Sequence, residues 1–152
     1  MKKLIFLLFT IATSLGCSYP EPKNSENVKS ILNEMQNMGA GDMKYVGFAL
    51  NDYETIYAIM KEAGFSVIDV DVLKTAEVRN ALGSGAKLSF FQKREGDAGF
   101  AATIAGKRVS DGERDIWSIQ VMLIKPPSHK EFIETVSYFK NMTQYGIINL
   151  LY

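Results

Sequence analysis

The chain has 152 residues, 47% of them hydrophobic and 22% charged, with 17 basic residues balanced by 17 acidic ones and a pI near 6.6. That length holds one ordinary domain with enough apolar material for a core, and the balanced charge lacks the basic excess of a protein that tracks phosphate backbones, so no nucleic acid is expected among its partners. A single cysteine excludes an internal disulfide, and a single histidine leaves too few ligands for a zinc site of the usual type, so neither metal nor cofactor is expected.

Lys2 and Lys3 open the chain, an apolar run from Leu4 to Ile11 follows, and Ala12-Thr13-Ser14-Leu15-Gly16 leads into Cys17. A secretory signal needs a positive end, an apolar segment of about 7 to 15 residues and small residues at the cut. Residues 1–16 supply these in that order. A helix crossing a bilayer needs roughly 20 apolar residues, and this run gives way early to the polar, proline-containing stretch Ser18–Ser25, so a permanent transmembrane anchor is not expected. The segment before the cut resembles the lipobox of bacterial lipoproteins, in which a small residue precedes a cysteine that receives diacylglycerol and becomes the new N-terminus. Gly16-Cys17 matches that core, with Ser14 and Leu15 in the interchanged order.

The resemblance covers residues 1–18. It implies lipidation of Cys17, membrane attachment through that lipid, and a place in the bacterial cell envelope; Ser18 after the cysteine is similar to the pattern that enteric-type lipoproteins carry to the outer membrane. More than one acyl chain suffices for stable attachment. A lone cysteine at this position suits the same use, the alternative being ordinary cleavage that leaves a free thiol. Residues 17–25 then form a tether, whose prolines and polar side chains favour an extended spacer, and 26–152 form the globular domain.

Within that domain, Ser25 is placed to cap a helix to about Met38, with Val28, Ile31, Leu32 and Met35 along one face. Gly39-Ala40-Gly41-Asp42 stops it. Residues 44–50 read as a buried strand, Asn51 and Glu54 as a capping box for a helix through Ala63, and 65–71 as the next strand. Strand, helix and strand in so short a stretch suit a right-handed crossover between neighbouring parallel strands. A helix over 72–82 closes at Gly83-Ser84-Gly85, and the pattern then changes to period two. Ala86, Leu88 and Phe90, then Phe100, Ala102 and Ile104, then Trp117, Ile119, Val121 and Leu123 read as three strands sharing one apolar face. Glu95–Ala98 and Ser110–Glu113 are the turns between them, the second an Asp-Gly hairpin. After Pro126-Pro127, Ser128 caps a helix with Glu131 at its third position, burying Phe132, Val136 and Phe139. Ile147–Tyr152 is an apolar tail that must pack or pair. The fold class is α+β: a single domain, a mixed sheet of about five strands ending in an antiparallel meander, and helices packed on one face.

No catalytic constellation stands out. His129 adjoins Ser128, but consecutive helical residues diverge by about 100°, so a capping serine beside a solvated histidine explains the pair. Asp69 and Asp71 alternate along a predicted strand near Asp52 and Glu54, a set that could bind Ca²⁺ or serve as acid and base. Alternatively, Asp71 caps the next helix and Asp69 faces water. The glycine pairs Gly39/Gly41 and Gly83/Gly85 follow predicted helices, where glycine closes the last turn. Lys107, Arg108 and Arg114 alternate with Asp111, Glu113 and Asp115, the mark of a solvated hairpin end.

The remaining signal is apolar. Phe91, Ala101, Thr103, Ile116, Met122 and Ile124 fall on the second face of the predicted meander and form a candidate binding face, unless the first helix or the C-terminal tail covers it. The expected function is a non-enzymatic, lipid-anchored envelope domain that binds a protein partner or a small ligand, of which an immunity or inhibitor protein is one concrete form. The alternatives are a small envelope hydrolase using Asp52, Asp69 and Asp71, and a structural envelope lipoprotein.

Overall fold

Helix α1 (Pro22–Gln36) starts ahead of Ser25, with Pro22 in the first turn, where its fixed φ and missing N–H cost nothing. The computed structural model describes residues 22–151; the signal, the lipobox and Cys17 lie outside the described residues. Strand β1 (Met43–Leu50) and helix α2 (Thr55–Glu62) follow. The expected Asn51/Glu54 capping box does not form: α2 has no side-chain cap, and the Glu54 carboxylate reaches Lys87 Nζ at 2.6 Å instead. Strand β2 is only Ser66–Val67, because the chain expected to stay extended to Asp71 leaves the sheet and tightens into a 3₁₀ turn over Asp71–Lys74. Thr75, not Asp71, caps helix α3 (Ala76–Leu82), its hydroxyl accepting from the Val78 N–H at 3.3 Å.

The meander's three strands and two turns are as expected, but Leu88 and Phe90 do not share the face of Ala102, Ile104, Val121 and Leu123; they lie on the opposite one. Strands β3 (Ala86–Glu95), β4 (Ala98–Asp111) and β5 (Arg114–Ile124) are joined by tight turns with Gly96 and Gly112 at positive φ, 59° and 67°. Ser128 caps helix α4 (His129–Lys140) by accepting from the Glu131 N–H at 3.2 Å, and helix α5 (Gln144–Leu151) closes the domain.

The five strands form one sheet in the order β1-β5-β4-β3-β2, a single α+β domain. Two features differ from expectation. The sheet is antiparallel at every neighbouring pair, not mixed. The hairpin-linked β3, β4 and β5 fill its middle, so β1 and β2 run in the same direction but occupy opposite edges, with α2 carrying the chain between them.

The second difference is that helices cover both faces, because both faces are apolar. On one face α1 and α2 bury Ile31, Met35, Ile56, Ile59 and Met60 against Phe91, Ala102, Ile104, Ile119, Val121 and Leu123. On the other, Phe132, Val136 and Phe139 of α4 and Ile147 of α5 pack over Leu88, Phe90 and Ala101, with Val78 of α3 beside them. Helix α4 comes so close to β4 that a Cβ on Gly99 would lie 2.5 Å from Phe132 Cε1.

Candidate binding surface

Register separates the residues expected to share a binding face. The turn after Glu95 pairs that residue with Ala98, which sets Phe90 across Thr103 and Phe91 across Ala102. Phe91 therefore lies on the α1/α2 face, only 2% exposed beside Tyr57, with ring centroids 5.5 Å apart. Ala101 and Thr103 lie on the opposite face, 0% and 7% exposed, and the Thr103 hydroxyl has no hydrogen-bond partner among the described residues. Ile116, Met122 and Ile124 share that second face on β5 and are half-buried.

Met122 and Ile124 mark the margin of an uncovered strip. Beyond them lies β1, with Tyr45 across Met122 and Met43 across Ile124. Met43 and Tyr45 are 55% and 60% exposed, and Gly47 and Ala49 continue the same exposed row. Val46, Phe48 and Leu50 turn the other way, toward α1 and α2. The sequence reading of 44–50 as a buried strand holds for one side of it alone. The alternation of Val46, Phe48 and Leu50 with Gly47 and Ala49 was the available signal that one side is open.

β1 is also an edge. Its far side pairs with no strand among the described residues. Its phase is set by the Gly39–Asp42 turn, where Gly41 takes φ 87° and the Asp42 N–H donates to Gly39 O at 3.1 Å. The Gly41 N–H donates to Lys125 O at 2.7 Å and the Lys125 N–H to Asp42 O at 3.0 Å. Two residues facing one, with a positive-φ glycine first, is a β-bulge of the glycine type. Antiparallel alternation from that bulge puts Lys44, Val46, Phe48 and Leu50 in hydrogen-bonded pairs with β5 and points the N–H and C=O of Met43, Tyr45, Gly47 and Ala49 outward. Sheet edges are commonly guarded by proline, inward charge or a covering element. Here Lys44 is the strand's one charge.

The polar groups that could do chemistry are dispersed or committed to structure. Asp69 and Asp71 both lie near Lys74 Nζ, at 3.0 and 3.7 Å, on the solvent-exposed surface, and that contact with Asp69 holds the lysine above its ordinary value. Asp52 is exposed at the start of the α2 turn, and among the described residues no three His, Cys, Asp or Glu side chains converge as metal ligands. Ser128 is occupied as a cap. Arg108 faces Asp115 across the hairpin at 3.8 Å.

One buried polar cluster escaped the sequence reading. Under α2, the Tyr53 hydroxyl donates to Ser89 Oγ at 2.8 Å, and Tyr57 Oη lies 2.7 Å from the same atom. Burial pushes the Tyr53 phenol well above the ordinary tyrosine range. Lys87 lies 5.7 and 5.6 Å from the Tyr53 and Trp117 ring centroids, and its hydrogen bond holds the Glu54 carboxyl below its ordinary value. This cluster joins α2 to the sheet, and an adjoining apolar hollow of about 290 Å³ is lined by Tyr57, Lys61, Phe65, Ser66, Val67 and Phe91, without Ser89. Neither a protein-family model nor a curated protein sequence matches this chain.

Proposed function

We propose that this protein is an exported envelope lipoprotein, held to a membrane by lipid on Cys17, whose domain binds a protein partner along the β1 edge and performs no catalysis. The observation that carries the binding reading is the open edge itself: an eight-residue strand with outward backbone groups and exposed Met43 and Tyr45 beside the half-buried Met122 and Ile124. Such an edge gives affinity through main-chain hydrogen bonds and specificity through alternate side chains. Immunity or inhibition at the envelope is a role this mode would serve.

Two measurements test the proposal. A photoreactive benzophenone amino acid at position 45 is expected to trap a protein adduct in intact cells, while the same group at the more exposed Tyr145, on α5, does not. Absence of any adduct at 45 refutes the docking edge. For the anchor, labelled palmitate is expected to enter the parent chain and not Cys17→Ser; equal labelling of the two, or none in either, refutes lipidation there.

A further inference from the structure

We infer that the partner at the β1 edge is a second copy of this chain, paired antiparallel about a two-fold axis at Val46, so that two five-stranded sheets become one. The inference rests on the reading of β1 as a docking edge and adds the occupant and the register.

The outward phase limits the registers. Met43, Tyr45, Gly47 and Ala49 carry the N–H and C=O groups that point away from β5 and meet no strand among the described residues, so two copies can pair only with these residues opposite one another. Along the exposed row these residues run large, large, small, small. An antiparallel partner reverses that order, and centring on Val46 sets Tyr45 across Gly47 and Met43 across Ala49, each pair occurring twice. An aromatic side chain across a glycine is a favourable cross-strand pair that compensates the glycine's missing side chain. The space is present: a Cβ built on Gly47 meets nothing nearer than Ile119 O at 3.8 Å. On the other face Val46 meets Val46 and Lys44 meets Phe48.

Charge and shape disfavour the neighbouring registers. Centring on Gly47 sets glycine on glycine and carries Asp42 toward Asp52 at both ends. Centring on Tyr45 shortens the overlap, and centring on Lys44 shortens it further and opposes two lysines. Like charges directly across a sheet are destabilising. The Val46 register sets no charge against its like and uses nearly the whole strand.

Cysteine crosslinking in the full chain, expressed in a bacterium that exports it, reads the register directly. At the axis the two Val46 residues form a non-hydrogen-bonded pair with Cα atoms about 4.5 Å apart, within disulfide reach. Val46→Cys is expected to oxidise to a linked dimer, whereas the parent, whose one cysteine is Cys17, does not. Lys44→Cys and Phe48→Cys are expected to link to each other when co-expressed and not when expressed singly. Tyr45→Lys, at an exposed position, is expected to abolish the Val46→Cys dimer with an unchanged circular dichroism spectrum. A Lys44→Cys or Phe48→Cys self-dimer, or a monomeric Val46→Cys protein that melts like its parent, overturns the inference. The adduct trapped at residue 45 separates the two levels of argument. Mass at twice the chain supports self-pairing; a different protein overturns self-pairing and leaves the docking edge standing; no adduct refutes both.

Discussion

The Tyr53 hydroxyl is buried at the junction of α2 and the sheet, where it donates to Ser89 Oγ while Tyr57 lies within reach of the same oxygen. Tyr53→Phe removes one hydrogen bond and keeps the ring against Trp117, 5.6 Å between centroids. The expected loss at neutral pH is about 1 kcal/mol by urea unfolding. The pH dependence is more diagnostic. Because the folded phenol titrates above its unfolded value, its contribution is complete below about pH 10 and is lost as pH rises from there toward the folded value. The parent is therefore expected to weaken on the alkaline side more steeply than Tyr53→Phe, and identical alkaline slopes would contradict this burial.

Space rather than charge decides the outcome at Gly99. Its added Cβ would meet Phe132 Cε1 at 2.5 Å and the Lys93 carbonyl at 2.6 Å, and the second of these is backbone within the β3–β4 hairpin. Overpacking of this kind costs about 1 to 3 kcal/mol. Gly99→Ala is expected to lower the melting temperature accordingly, and Phe132→Leu in the same chain to recover part of the loss. A neutral Gly99→Ala would mean that α4 lies farther from β4.

At the scale of the element, turns decide more than strand patterns do. The Glu95–Ala98 turn was legible as a turn, and its two-residue length already fixes which residues of β3 and β4 face each other. Phe90 and Phe91 are adjacent and both apolar, so alternation alone allowed either to join Ala102 and Ile104. The turn assigns Phe91 to that face and Phe90 to the other, and a one-residue slip in the reading moved both. The Ser128 cap and the Asp-Gly hairpin were legible because their chemistry is local, whereas the openness of β1 depends on which strand lies beside it, a non-local fact. Gly41 governs that strand's phase through its φ of 87°. Gly41→Ala places a Cβ in the left-handed region, at a cost of roughly 1 to 2 kcal/mol, and is expected to disturb the Lys44 and Val46 amide resonances more than those of β4.

Across the whole molecule, the sheet grades from a covered centre to an open margin. Ala102, Ile104, Val121 and Leu123 are fully buried, and exposure rises along the second face from Thr103 through Met122 to Tyr45. Amide exchange in the monomeric protein is expected to follow this grading, slowest in β4. Along β1 it should alternate, with Lys44, Val46, Phe48 and Leu50 protected and Met43, Tyr45, Gly47 and Ala49 fast. Uniform protection along β1 in a monomer would show that something in the chain already covers the edge.

Among the described residues β1 pairs with β5 alone, so it has no sheet partner until that strand, the last of the meander, is made. The β3–β4–β5 meander closes through short local turns, so it can organise first, while β1 must wait for a distant segment and close a long loop. Folding-rate changes are then expected to concentrate in the meander, with φ-values well above those of β1 substitutions such as Val46→Ala. In a chain synthesised N-terminus first, closure at this margin is expected to come late, after the whole meander has formed.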